Sequence, residues 1–133
     1  ERVAINLDDA RIADNAGAQP IDSPVVARGA AAHFTTLPIK AMAAALCEAG
    51  HTASVSNSAG TFVCNHLFYG LQHALKRRRG VRGGFMHLPC LPEQAAPQQP
   101  SLPLATMVEG VAIALATALA VHDDLVIGDG QLD

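Results

Sequence analysis

The chain opens with alternating apolar and polar positions. In "RVAINL" (2–7), Val3, Ile5 and Leu7 share one side, and the β-branched content predicts a strand. "DDARIADNAGAQPIDSP" (8–24) is polar and turn-rich, which predicts a long loop. "VVARGAAAHFTT" (25–36) fits neither period and stays ambiguous. Thr36 precedes a helix with Pro38 in its early turn, continued by "IKAMAAALCEAG" and stopped by Gly50. "TASVSNS" (52–58) alternates about Val55 and predicts a short strand. After Gly60, a helix is expected over about 61–78, ending in basic residues that suit a helix C-terminus. "GFMHLP" (84–89) predicts another strand, led in by a Gly-Gly turn. "CLPEQAAPQQPSLP" (90–103) is a Pro/Gln loop, a long helix follows over about 103–121, and residues 123–133 are expected to form a flexible tail. Strands alternating with helices give an α/β class with a sheet between helices, and the 133 residues suit one domain.

Composition changes this picture in three places. Half the residues are hydrophobic but tryptophan is absent, so Ala, Leu, Val and Ile must fill the core. The net charge of −3 gives no reason to expect a nucleic-acid partner, although "KRRRGVR" (76–82) holds over half of the Lys and Arg residues. A basic run ending a helix, with no aromatic residues interleaved, reads as a solvated terminus. Three cysteines at irregular spacing form no disulfide framework and suit a reducing compartment. The apolar stretch "LPLATMVEGVAIALATALAV" contains Glu109 and is alanine-rich, so it reads as a core helix and not as a membrane span.

Candidate chemistry centres on Cys64, in "SAGTFVCNHLFYGL" (58–71). A thiol at a helix start meets unpaired N–H groups carrying partial positive charge, which favours the thiolate. The bland alternative is a small buried hydrophobe. His87 lies near the end of a predicted strand, and a strand-helix-strand unit brings that end beside the start of the helix. A histidine there could take the thiol proton and return it to a leaving amine, or could equally be satisfied by backbone. An acid must orient the imidazole, and Glu1, Asp8, Asp9, Asp14 and Glu93 all compete; spacing does not choose among them. Cys64, His66, His87 and Cys90 also raise a zinc site, but Cys64 and His66 are two apart on a helix and point away from each other.

Three stretches then resemble one family. "SNSAGTFVCNHLFYGL" is similar to the cysteine motif of the pyroglutamyl-peptidase I family, also called pyrrolidone-carboxylate peptidase or peptidase family C15. "ERVAINLDDARIADNAG" resembles its glutamate motif and "RGGFMHLPCLPEQ" its histidine motif, in the family order. The resemblance implies a cytoplasmic cysteine exopeptidase that removes N-terminal pyroglutamyl residues from peptides. It implies a three-layer α/β/α sandwich around a mixed, mostly parallel sheet. It carries the nucleophile to Cys64, the base to His87 and the orienting acid to Glu1, with Phe62, Val63 and Ile12 framing the lactam ring. No metal or cofactor is required, no nucleic acid or membrane is involved, and a homo-oligomer, dimer or tetramer, is expected for the full-length protein. Cys90 departs from the family, which more often has an aromatic residue there. The chain opens at Glu1 without a methionine, so it is expected to be the C-terminal part of such an enzyme, lacking N-terminal strand or strands and inactive by itself. Two other readings remain: a catalytically silent domain or fragment that keeps the fold but lacks the complete pocket, and a zinc-stabilised binding module.

Overall fold

The computed structural model describes residues 1–128. Its regular elements are β1 (Val3–Ile5), β2 (Ala32–Phe34), α1 (Ile39–Glu48), α2 (Cys64–Leu75) and α3 (Leu104–Ala120). They fall into two compact units. Among the described residues, one holds Glu1–Leu37 and Ser56–Phe85; the other holds Pro38–Val55 and residues 86–128.

In the first unit, β1 and β2 pair antiparallel, with Val3 opposite Phe34, Ala4 opposite His33 and Ile5 opposite Ala32. Ala4 is fully buried and packs with Phe68 and Tyr69 of α2, with Val25, Val26, Ala59 and Phe85 around them. The buried residues of α2 are Asn65, Phe68, Tyr69 and Gln72, the i, i+3, i+4, i+7 stripe of an amphipathic helix with polar groups at both ends. The Tyr69 hydroxyl donates to Ala30 O (2.6 Å), and a Cβ at Gly29 would collide with that hydroxyl. Gln72 Nε2 donates to Gly83 O (2.7 Å), and the Gly83 N–H donates to Thr36 Oγ1 (2.8 Å). These bonds hold the glycine turn without regular strand structure.

In the second unit, α1 packs against α3. The residues these helices bury are small or flexible, Ala41, Met42, Ala43 and Leu46 in α1 and Met107, Ala114 and Ala118 in α3. Gly50, with φ of +87°, terminates α1 in a left-handed conformation that costs glycine little. No side chain next to α1 in sequence caps its start. Asp124 does so, its carboxylate accepting the Lys40 and Ala41 N–H groups at 3.1 and 2.9 Å. Asp124 belongs to the stretch expected as a flexible tail, of which residues 129–133 lie outside the described residues.

The α/β class holds, but the strands are fewer and shorter than the periodicity predicts. Residues 52–58 form no regular strand: Arg2 N donates to Ser56 O (2.8 Å) and Ser58 makes one parallel bridge to Val3. Residues 84–89 form none either, although the Glu1 nitrogen donates to Phe85 O (2.9 Å). Alternation alone does not make a strand; a ladder needs successive paired residues, and glycines 83 and 84 and Pro89 interrupt this one. The ambiguous stretch 25–36 supplies β2. The basic run falls after α2, because the helix ends at Leu75.

Candidate active site

Cys64 is the first residue of α2 and is partly buried. Val63 precedes it as the N-cap, with no side-chain capping bond and no acidic residue in the first turn. The first-turn N–H groups therefore keep their partial positive charge for a thiolate or a developing oxyanion. Phe62 is partly buried, Val63 is exposed, and the peptide between them is cis.

What fixes this turn is the end of β1. Asn65, fully buried, accepts the Ile5 N–H at Oδ1 (2.9 Å) and donates from Nδ2 to Ile5 O (2.8 Å) and Leu7 O (3.0 Å). Its amide thus pairs with the strand's backbone as a neighbouring strand would. Two further contacts flank it. Asp9 N donates to Thr61 O (3.1 Å), and Thr61 Oγ1 donates to Asp9 O (2.8 Å). His66 Nδ1 lies 2.6 Å from Asp8 Oδ2. A short run from Ile5 to Asp9 therefore grips the segment from Thr61 to His66, on both sides of Cys64.

The competing acids separate by what they touch. Glu1 lies just before β1, and its Oε2 accepts the Ser56 hydroxyl at 2.6 Å. Asp8 is buried against His66. Asp14 Oδ1 accepts the Ala16 and Ala18 N–H groups of its own turn. Glu93 is exposed in the second unit. Glu1 and Cys64 belong to the first unit, as do Phe62, Val63 and the exposed Ile12; His87 is exposed and belongs to the second. Among the described residues no three His, Cys, Asp or Glu side chains gather as a metal site. Cys90 Sγ accepts from Gln99 Nε2 (3.3 Å), and Cys47, exposed, donates to Ala53 O (3.4 Å).

Sequence reasoning missed Asn65. Its signal was available: on the stripe 65, 68, 69, 72 it is a polar residue aligned with two aromatics. It also left His66 as a rejected zinc ligand and Asp8 as one acid among five.

The family model described as "Pyroglutamyl peptidase" matches residues 1–121. A pyrrolidone-carboxylate peptidase of Cupriavidus taiwanensis is 63% identical over 99% of this chain, which spans 63% of that relative's length. One from Erwinia tasmaniensis is 59% identical, covering 98% of this chain and 62% of the relative. The crystal structure of pyroglutamyl peptidase I from Bacillus amyloliquefaciens superposes with a TM-score of 0.90 at 46% identity, over 96% of this chain and 61% of that one. The pyrrolidone carboxyl peptidase of Thermococcus litoralis gives 0.89 at 32% identity, over 96% and 63%. The chain thus spans less than two thirds of these relatives, and it belongs to the pyroglutamyl peptidase family.

Proposed function

From membership of that family, we propose that the protein is a cysteine exopeptidase that releases N-terminal pyroglutamyl residues from peptides. The observation that carries the reading is the position of Cys64 as the first residue of α2, within the region that the family model matches. Cys64 attacks the carbonyl that joins the lactam ring to the next residue, and the carbonyl oxygen takes the negative charge. The Cys64 backbone N–H at the uncapped helix start supports that charge. His87 takes the thiol proton and gives it to the departing amine, leaving a pyroglutamyl thioester. Water, deprotonated by His87, cleaves the thioester and frees pyroglutamate and the thiol. Glu1, accepting from Ser56, orients His87. Phe62, Val63 and Ile12 frame the lactam. No step needs a metal or cofactor.

Cys64, His87 and Glu1 are all retained, which favours the peptidase reading for the full-length protein over a catalytically silent domain. No helix of the described residues is long and apolar enough to cross a membrane; a cytoplasmic location and a dimeric or tetrameric whole protein complete the proposal. The test is hydrolysis of a fluorogenic pyroglutamyl amide by the full-length protein and three variants. Cys64→Ser abolishes turnover, His87→Ala does nearly as much damage, and Glu1→Gln hurts less, since an orienting group contributes less than nucleophile or base. Near-normal turnover by His87→Ala removes histidine from the mechanism.

A further inference from the structure

Asp8 is 5% exposed, and its Oδ1 has no hydrogen-bond partner; Oδ2 meets His66 Nδ1. A carboxylate only accepts, so Nδ1 carries the proton and His66 donates. Asp8 is also the base of a loop closed on itself. Asp8 N donates to Ser23 O (2.7 Å) and Ser23 N to Asp8 O (3.0 Å). Further along, Ala10 N donates to Pro20 O (2.8 Å) and Asp14 N to Ala18 O (2.9 Å). Gln19 Nε2 adds a bond to Ala10 O (3.1 Å). A loop so bonded moves as one body, so whatever fixes its base fixes its tip, Ile12 included.

We infer that Asp8 and His66 form a positioning clamp, which holds the loop from Asp8 to Ser23 against the turn carrying Cys64 and so sets the lactam wall at Ile12. The inference rests on the cysteine-peptidase reading and deepens it. Asn65 ties α2 to β1 through three bonds, and the Asp9–Thr61 pair ties the loop's backbone to the turn before Cys64, while the Asp8–His66 pair is the side-chain tie between the loop and α2 itself. Without the imidazole donor, Asp8 keeps a buried charge with both oxygens bare, a state that favours swinging the loop base towards water. The substrate then loses its wall, while Cys64 stays where Asn65 holds it. His66 is half-exposed, so leucine fits there without leaving a cavity.

The experiment compares His66→Leu, which removes the donor, with His66→Asn, whose amide nitrogen can stand in for Nδ1. Two readouts are taken on the full-length protein: KM and kcat for a fluorogenic pyroglutamyl amide, and the Kd of 2-pyrrolidone, the bare lactam, by NMR titration. His66→Leu raises KM and Kd about tenfold with kcat within about twofold, the pattern of lost ground-state binding, and His66→Asn restores both to within about threefold. KM and Kd unchanged in His66→Leu, a fall in kcat alone, or an equally impaired His66→Asn overturns the clamp. A wild-type protein that binds 2-pyrrolidone without hydrolysing the amide contradicts the peptidase reading, and the Kd comparison still decides the clamp. Wild type that does neither overturns both.

Discussion

Replacing Asn65 with alanine strips three hydrogen bonds from the junction of β1 and α2, those with Ile5 N, Ile5 O and Leu7 O. A typical intramolecular bond contributes about 1 kcal/mol net, so the three together are worth about 3 kcal/mol. The backbone groups left behind set the spread: Ile5 and Leu7 are only partly buried, so water can reach some of them and the full desolvation penalty does not apply. With a urea m-value of about 2 kcal/mol per molar, the midpoint falls by about 1.5 M. Asn65→Asp is worse, because a carboxylate still accepts from Ile5 N but faces two carbonyl oxygens to which it cannot donate, in a fully buried position. The assay is urea unfolding followed by circular dichroism and by the emission of Tyr69, which neighbours Asn65 on the buried stripe of α2. A midpoint shift below about 0.5 M for alanine, equivalent to about 1 kcal/mol, or an aspartate variant as stable as wild type, refutes the claim that this amide joins strand to helix.

Other outcomes follow from the same structure. In time-resolved iodoacetamide labelling with peptide mapping, Cys64 reacts first although Cys47 is more exposed, because Cys47 sits at the end of α1, where the helix dipole disfavours a thiolate; faster labelling of Cys47 or Cys90 contradicts the helix-start argument. Burial, with smaller contributions from Lys76 and His73, holds the His33 pKa below the usual histidine value, and its Nε2 is buried without an acceptor. The unfolded chain therefore binds this proton more readily than the folded one, so His33 costs no stability above the ordinary histidine pKa and stability falls as pH drops below it towards the folded value. His33→Gln should flatten that acid-side decline in urea midpoint, and an unchanged slope removes His33 as its cause. Asp124→Ala removes the cap of α1 and lowers stability by about 1 kcal/mol in the same unfolding assay; no change means the cap is dispensable.

The helices were legible because each carries a long apolar period: α1, α2 and α3 lie within the spans read from sequence, with ends drawn in by one to three residues. Strands were less so. Val55 is buried as its alternation suggested, yet its neighbours form no ladder, and β2 came from a stretch without a clear period. Partners of a short strand lie far away in the chain, so local pattern cannot supply them. At the candidate site, the helix-start cysteine was visible from its glycine turn and apolar run. Spacing singled out no acid among the five, and the one contact that distinguishes Glu1, with Ser56, joins residues 55 apart and has no local signature. The Asp8–His66 pair, 58 apart, was invisible for the same reason. Asn65 was not: a polar residue on the buried stripe of a helix announces a buried hydrogen-bonding role, and Gln72 at the other end of that stripe obeys the same rule.

The central claim is that the Cys64 sulfur carries the pyroglutamyl group during turnover. The most direct measurement is acid quenching of the full-length protein while it hydrolyses a pyroglutamyl ester, chosen so that acylation outruns hydrolysis of the thioester, followed by peptide mapping by mass spectrometry. The account predicts a pyroglutamyl adduct on the peptide containing Cys64, absent from Cys64→Ser. An adduct on Cys47, Cys90 or any other residue, or undiminished turnover by Cys64→Ser, contradicts it.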